Sequence, residues 1–379
     1  MKTRKLQQVG GGTYTVSIPK AWADEHALEA GMDLHLYTHA DGSIVVRTAE
    51  RDGDALASAT VEVAGDAPEL VERALVAAHA VGFETVTLRP DEAFTREQRR
   101  AARSVVRDLV GTDLLVEADD EITVQHLLDA STVSVRQSVV QLQFTALSVH
   151  REATAALLEG EVSAERARER AAEADRLARM VRRHAARSLT SFAELDRLGV
   201  SRTELFDYEA TARALRRVAH EAVRTAEAAE GLSGPLPSEV GETVSETAAA
   251  SRNVVEEATT AVLDGPDATA AHAALDRRDD AVTTVTAATD ALFDASVTAF
   301  DGAVSCPDGV PEGDTRAATD DATSSDDSAA SDGGVTPEDR ACARAAATGR
   351  VLDSVRRTAE CGASVADVAL QAAVRAERE

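Results

Sequence analysis

The side chains with the clearest chemical potential stand at the start of the chain. Lys2, Arg4, Lys5 and Lys20 precede the first acidic residue, Asp24, and three of them are the only lysines in the protein. The first twenty residues carry +4, whereas the remaining 359 hold 36 arginines against 66 acidic side chains, or −30. A cationic end on a strongly anionic body points to an anionic partner touched only at that end, and nucleic acid fits this polarity best. Arg4, Lys5, Thr13 and Lys20 are the candidate DNA contacts. Phosphates are met by long cations and small hydroxyl donors, and Gly10-Gly11-Gly12 would let a duplex backbone come close. A pair of chains would double the four cations, enough to neutralise several phosphates together. The competing reading is that these cations only guard the edges of short solvated strands.

Other groups with chemical potential lie in the C-terminal half. Asp175, His220 and Glu227, with Asp280, Glu360 and Asp367, are candidate ligands for a divalent metal or iron. Residues four apart share one helix face. Arg216 stands four before His220 and Arg356 four before Glu360, however. An arginine there repels a cation and can pair with Asp175 or Asp280 across a bundle. A helix-to-helix ion-pair network is therefore favoured over a metal site, and no cofactor is expected. Arg216, Arg217, Arg356 and Arg357 could instead grip phosphate or another oxyanion as guanidinium forks, although plain surface charge is the base expectation. Nothing suggests catalysis. No serine or cysteine stands in a nucleophile motif, the glycine run lacks the Gly-Lys-Ser/Thr of a nucleotide loop, and Cys306, Cys342 and Cys361 form no CxxC pair.

These groups must be held by elements the composition constrains. The 379 residues allow two or three domains. Hydrophobic residues make up 44 % but aromatics only 3 %, which favours helices packed through alanine, valine and leucine. The net charge of −26 and the preference for arginine over lysine match the surfaces of salt-adapted cytoplasmic proteins. No apolar leader and no run of about 18 apolar residues occurs, so a soluble cytoplasmic protein without membrane insertion is expected.

Residues 1–49 read as β-hairpins. Tyr14, Val16 and Ile18 alternate with Thr13, Thr15 and Ser17, Pro19 stops the strand, and a short helix over Lys20–His26 should bury Trp22. Arg4 and Lys5 are expected on a leading strand, and Asp41-Gly42 signals another hairpin turn. So small a β module buries little by itself, which implies a homodimer. Residues 59–126 read as a small α/β domain. Its strands lie near 61–63, 85–88, 114–117 and 122–124, and its helices near 68–79 and 96–110. Asp66 is the expected N-cap of the first helix, and Thr95 with Gln98 forms a capping box for the second.

From residue 127 the pattern is helical, with helices near 133–159, 161–190, 204–230, 238–263, 267–300 and 336–377. Residues 301–335 are too polar and too rich in Gly, Ser and Pro to order themselves and read as a disordered acidic insertion. The helical half is duplicated. Leu215-Arg216-Arg217-Val218-Ala219-His220 matches Val355-Arg356-Arg357-Thr358-Ala359-Glu360 at an offset of 140, and Asp175 matches Asp280 at 105. The difference of 35 equals the length of the insertion. Residues 127–232 and 236–377 are thus two tandem three-helix bundles.

That duplicated unit, with an aspartate in its second helix and Leu-Arg-Arg-x-Ala in its third, resembles the PhoU family of phosphate-uptake regulators. The N-terminal text Gly12-Thr13-Tyr14-Thr15-Val16-Ser17-Ile18-Pro19-Lys20, followed by Leu28-x-x-Gly31-Met32-x-Leu34, resembles the AbrB/SpoVT-like swapped-hairpin DNA-binding module. That resemblance implies two chains interleaving hairpins into a dimer whose basic face meets DNA. The pairing of head and body looks like archaeal phosphate regulators, those of haloarchaea in particular. It implies a mainly α protein that regulates phosphate transport genes, with a transporter ATPase or phosphate-signalling protein as a further partner. Two other readings stay open: a regulator acting only through protein partners, and a metal-binding helical protein.

Overall fold

The structure is a computed structural model that describes residues 3–38, 42–47, 54–232, 236, 238–265, 267–303 and 337–377. Asp41 and all but the first three residues of the 301–335 insertion lie outside the described residues. The protein is mainly helical, with N-terminal β-hairpins and a small mixed sheet. It divides into two compact units, residues 1–134 with 182–205, and 135–181 with 206–379.

The first unit begins with the head. Strands β1 (Gln7–Val9) and β2 (Thr13–Thr15) pair antiparallel, helix α1 spans Lys20–Glu25, and β3 (His35–Thr38) pairs with β4 (Ile44–Arg47). Three sequence expectations need correction here. Arg4 and Lys5 precede β1 instead of lying on a strand. The strand expected over residues 13–18 ends at Thr15, because β1 offers only three residues to pair with. Trp22 is only half-buried: the His26 ring lies 4.7 Å from it, and so small a module encloses little.

The α/β part has a four-stranded sheet of order β5-β6-β8-β7: β5 (Ser58–Val63), β6 (Thr85–Pro90), β8 (Ile122–His126) and β7 (Thr112–Glu117). Only the β5–β6 pairing is parallel, the geometry that calls for a helical crossover. That crossover is α2 (Pro68–Val81), and α3 (Arg96–Asp108) joins it over the same core. Val71, Leu88, Ala102 and Ile122 are fully buried there. The Thr95–Gln98 capping box forms with both bonds, at 3.1 and 3.0 Å. The N-cap of α2 is Ala67, not Asp66. Pro68 forces the residue before it into extended backbone, so the helix boundary falls one residue later than the acidic signal suggested.

Residues 182–205 complete this unit with the last turn of α5 (Ala164–Arg187) and a short helix, α6 (Phe192–Leu198), that sequence periodicity did not reveal. Arg183, with no exposed surface, donates to the carbonyls of His79 at 3.1 Å and Phe83 at 2.9 Å. Arg187 donates to the Gly82 carbonyl at 2.7 Å and to Glu84 and Glu194 at 2.9 and 3.1 Å. Two guanidinium groups thus occupy the C-terminal end of α2, where helix carbonyls lack partners and the macrodipole is negative. Glu194 also meets His184 Nδ1 at 2.7 Å. Burial alone would raise the Glu194 carboxyl, but His184 and Arg187 outweigh it and hold the group below its ordinary range.

The second unit is helical: α4 (Val135–Glu159), α5 as far as residue 181, α7 (Arg202–Glu230) from residue 206, α8 (Ser238–Leu263), α9 (Ala268–Ala303) and α10 (Pro337–Ala376). Two of its turns are spaced as the sequence repeat is. Gly160 and Gly265, 105 residues apart, hold left-handed backbone after α4 and α8, at φ 75° and 114°. A helix leaves its last turn most easily through such a glycine. One core of this unit holds Leu157, Ala229, Val244, Val285, Val351 and Val355.

Helices α8 and α10 pack most intimately at Gly362. A Cβ built there would stand 2.7 Å from Val254 Cγ1 and 2.9 Å from the Val255 backbone nitrogen. Gly362→Ala is therefore expected to destabilise the protein by roughly 1–3 kcal/mol, the usual cost of overpacking a closed site. That cost outweighs the ~1 kcal/mol gain in helix propensity. Urea denaturation of the two forms measures it, and an unchanged midpoint would contradict the close approach.

Candidate nucleic-acid interface and the polar sites of the helical body

In the head, β1 and β2 are held in register by Gln7 opposite Thr15 and Val9 opposite Thr13, with Gly10 opening the turn at φ 68°. Thr13 is exposed beside that turn. Arg4, Lys5 and Lys20 are exposed as well, and Arg4 donates to the neighbouring Thr3 carbonyl at 3.4 Å. Lys2 lies outside the described residues. Lys20 is the first residue of α1, whose opening turn has no acidic side chain. A cation at the positive pole of a helix does not serve that helix, so its presence there calls for a different use.

The apolar side chains of the head face solvent to a degree a finished module does not tolerate. Leu6, Val9, Tyr14 and Val16 are 65, 58, 64 and 58 % exposed, and Leu36 and Ile44 reach 66 and 64 %. Strands β1 and β2 have three residues each. Isolated hairpins of this length need further strands or a packed layer for stability.

The metal-ligand candidates fall into different settings. Asp175 on α5 accepts from Arg216 Nε at 2.6 Å and lies 2.8 Å from His220 Nε2, with Arg179 at 3.6 Å. Burial pushes its carboxyl up, yet His220 and Arg216 overcome that and hold it at about 2. The pairing of Arg216 with Asp175 across the bundle is thus present. Glu227 takes Arg168 of α5, at 2.7 Å. Glu360 pairs with Arg356 on its own helix, and Arg356 also reaches Asp353 at 2.6 Å. Asp280 and Asp367 are exposed. Arg356 does not bridge to Asp280, because α10 supplies carboxylates three residues before and four after it, where α7 has Arg213 and His220. Among the described residues no group of three His, Cys, Asp or Glu is arranged to hold a metal ion.

Further polar residues escaped sequence reasoning. The Ser354 hydroxyl of α10 sits 2.9 Å from Glu221 Oε2 of α7, both buried. His150, fully buried, accepts from Arg252 Nη1 at 3.2 Å, and burial depresses its imidazole to about 3. A serine or histidine within alanine-rich helical text gives no signal of such a partner.

Residues 7–54 match the family described as antidote-toxin recognition MazE, bacterial antitoxin, so the head is a MazE/AbrB-like domain. The match covers most of the segment that resembles the AbrB/SpoVT-like module. No curated protein and no solved structure matches the chain. Among the described residues no helix is long and apolar enough to cross a membrane.

The Asp175 pairing sets a pH dependence. A carboxyl depressed to about 2 contributes stability that is complete above its unfolded value of 3.8 and is lost as pH falls through 2. Asp175→Asn removes that contribution, on the order of 2 kcal/mol. At pH 7 the variant is expected to unfold at lower urea than the wild type, with the two midpoints converging toward pH 2.

Proposed function

We propose that the chain is a DNA-binding transcriptional regulator of phosphate uptake that works as a homodimer through its head and does no catalysis of its own. The observation that carries this reading is the coincidence of two unfinished surfaces in one small domain. Leu6, Val9, Tyr14 and Val16 lack cover in a single chain, and among the described residues Arg4, Lys5 and Lys20 have no carboxylate partner beside them. A second copy of the head would bury the apolar face, and the same pairing would gather the cations of both chains into one patch. The family match supports the dimer and the nucleic-acid role together. The phosphate-uptake role is supported by the duplicated three-helix body and its likeness to PhoU regulators. In this reading the body receives the signal and meets a transporter ATPase or phosphate-signalling protein. The acidic composition supports a salt-adapted cytoplasmic setting.

The matched family's name favours a second reading, in which the head docks a protein toxin instead of DNA.

Replacing Arg4, Lys5 and Lys20 by alanine separates the two. If the head meets DNA, affinity for promoter duplex in a mobility-shift assay falls at least tenfold while sedimentation still gives a dimer. Since phosphate contacts release counterions, the wild-type affinity should also decline with added salt, and less steeply in the variant. Unchanged promoter binding by the triple variant would defeat the assignment.

A further inference from the structure

Beyond the head, positive charge also gathers between α7 and α10. A groove of about 950 Å³ runs between α7 and α10 and is lined by Arg213, Arg216, Arg217 and Arg224 from one side and Arg356 and Arg357 from the other. Three glutamates, Glu221, Glu227 and Glu360, share the lining. Several acids outside it pair with these arginines: Glu209 with Arg213, Asp175 with Arg216, and Asp353 with Arg356 and Arg357. Arg168 and Arg179 in turn engage Glu227 and Asp175, so arginines outnumber acids eight to six in this network. In a chain of net charge −26, that is a reversal of sign.

The guanidinium groups are also not used up. Arg216 gives Nε to Asp175, Arg224 gives Nη1 to Glu221, and Arg357 gives Nη2 to Asp353, leaving the other N–H groups of each for a further acceptor. Arg217 is exposed and has no carboxylate partner among the described residues. Ion pairs along the rim hold the long side chains in place, so an incoming anion finds donors already ordered.

We infer that this groove binds a small molecule carrying two or more linked phosphoryl groups. Guanidinium forks match phosphoryl oxygens in geometry and charge. Arg213 and Arg224 lie eleven residues apart on one helix, roughly 16 Å along its axis. That spread exceeds a single phosphate and suits an extended polyanion. A groove of this size accommodates a ligand larger than an inorganic ion. The lining holds no Phe, Tyr or Trp on which a base could stack, so the phosphoryl chain is the part recognised. This site is independent of whether the head binds DNA.

Calorimetric titration of the full chain with tripolyphosphate and with orthophosphate, at one fixed salt concentration, tests the inference. Wild-type protein is expected to bind tripolyphosphate at least tenfold more tightly than orthophosphate. The double variant R217E/R357E is expected to lose at least tenfold in tripolyphosphate affinity. Arg4→Ala, Lys5→Ala and Lys20→Ala together should leave it within twofold, which separates the groove from the basic head. Should the double variant fail to fold by circular dichroism, Arg217→Lys keeps the charge but removes the fork, and is expected to weaken tripolyphosphate at least threefold. The inference is overturned if the wild type binds no tripolyphosphate, if the groove variants bind it as the wild type does, or if the head variant abolishes binding. Displacement of bound tripolyphosphate from the head variant by short DNA duplex would reassign the groove to nucleic acid and equally defeat it.

Discussion

The helical unit rests on one constraint: its buried faces are made of small side chains. Ala212, Ala214, Ala219, Ala222, Ala226 and Ala229 line the inner side of α7, and Ala248, Ala258 and Ala261 do the same for α8. Each buried methyl contributes only about 0.8 kcal/mol. Stability must therefore be gathered over long contacts, and the helices run from 24 to 40 residues apart from the seven-residue α6 and the helices of the first 134 residues. Small side chains also allow backbones to approach closely, which is why α8 leaves no room for a Cβ at position 362 of α10. Several hydroxyls drawn into these interfaces find acceptors one turn back on their own helix. Thr154 reaches His150, Thr225 reaches Glu221, Thr259 reaches Val255 and Thr358 reaches Ser354, at 2.7–3.1 Å. They can thus be buried without leaving polar groups stranded.

Charge is the second organising term. Sixty-six acids face forty cations, yet the cations are not simply scattered among them. Some stand exposed on the head. Two are buried against the end of α2, where they satisfy carbonyls that would otherwise lack donors. Others line the trough between α7 and α10. Each setting uses a different property of the cation: reach, burial against carbonyl acceptors, and fork geometry.

Much of this architecture was legible in the sequence where local chemistry decides it. The β5–β8 sheet, the Thr95–Gln98 box, the helices beginning at Ser238 and Pro337, and the pairing of Asp175 with Arg216 all follow from alternation, capping residues or helical spacing. What stayed hidden depends on partners distant in sequence. Arg183 and Arg187 look like surface arginines in an arginine-rich text, and only the fold brings them to residues 79–84. Helix α6, seven residues long, is too short to show a period. The end of β2 at Thr15 reflects how little strand β1 has to offer, which no property of residues 16–18 betrays.

The clamp on α2 has a topological implication. Its donors come from residues 182–205, which belong to the same compact unit as residues 1–134 although 47 residues of the other unit intervene. A polypeptide ending at Ser134 would keep the hairpins and the mixed sheet but forfeit Arg183, Arg187 and Glu194. The carbonyls of His79, Gly82 and Phe83 would then lose their donors. Residues 1–134 are consequently not a self-sufficient cassette, because the donors that complete the end of α2 stand at residues 183 and 187.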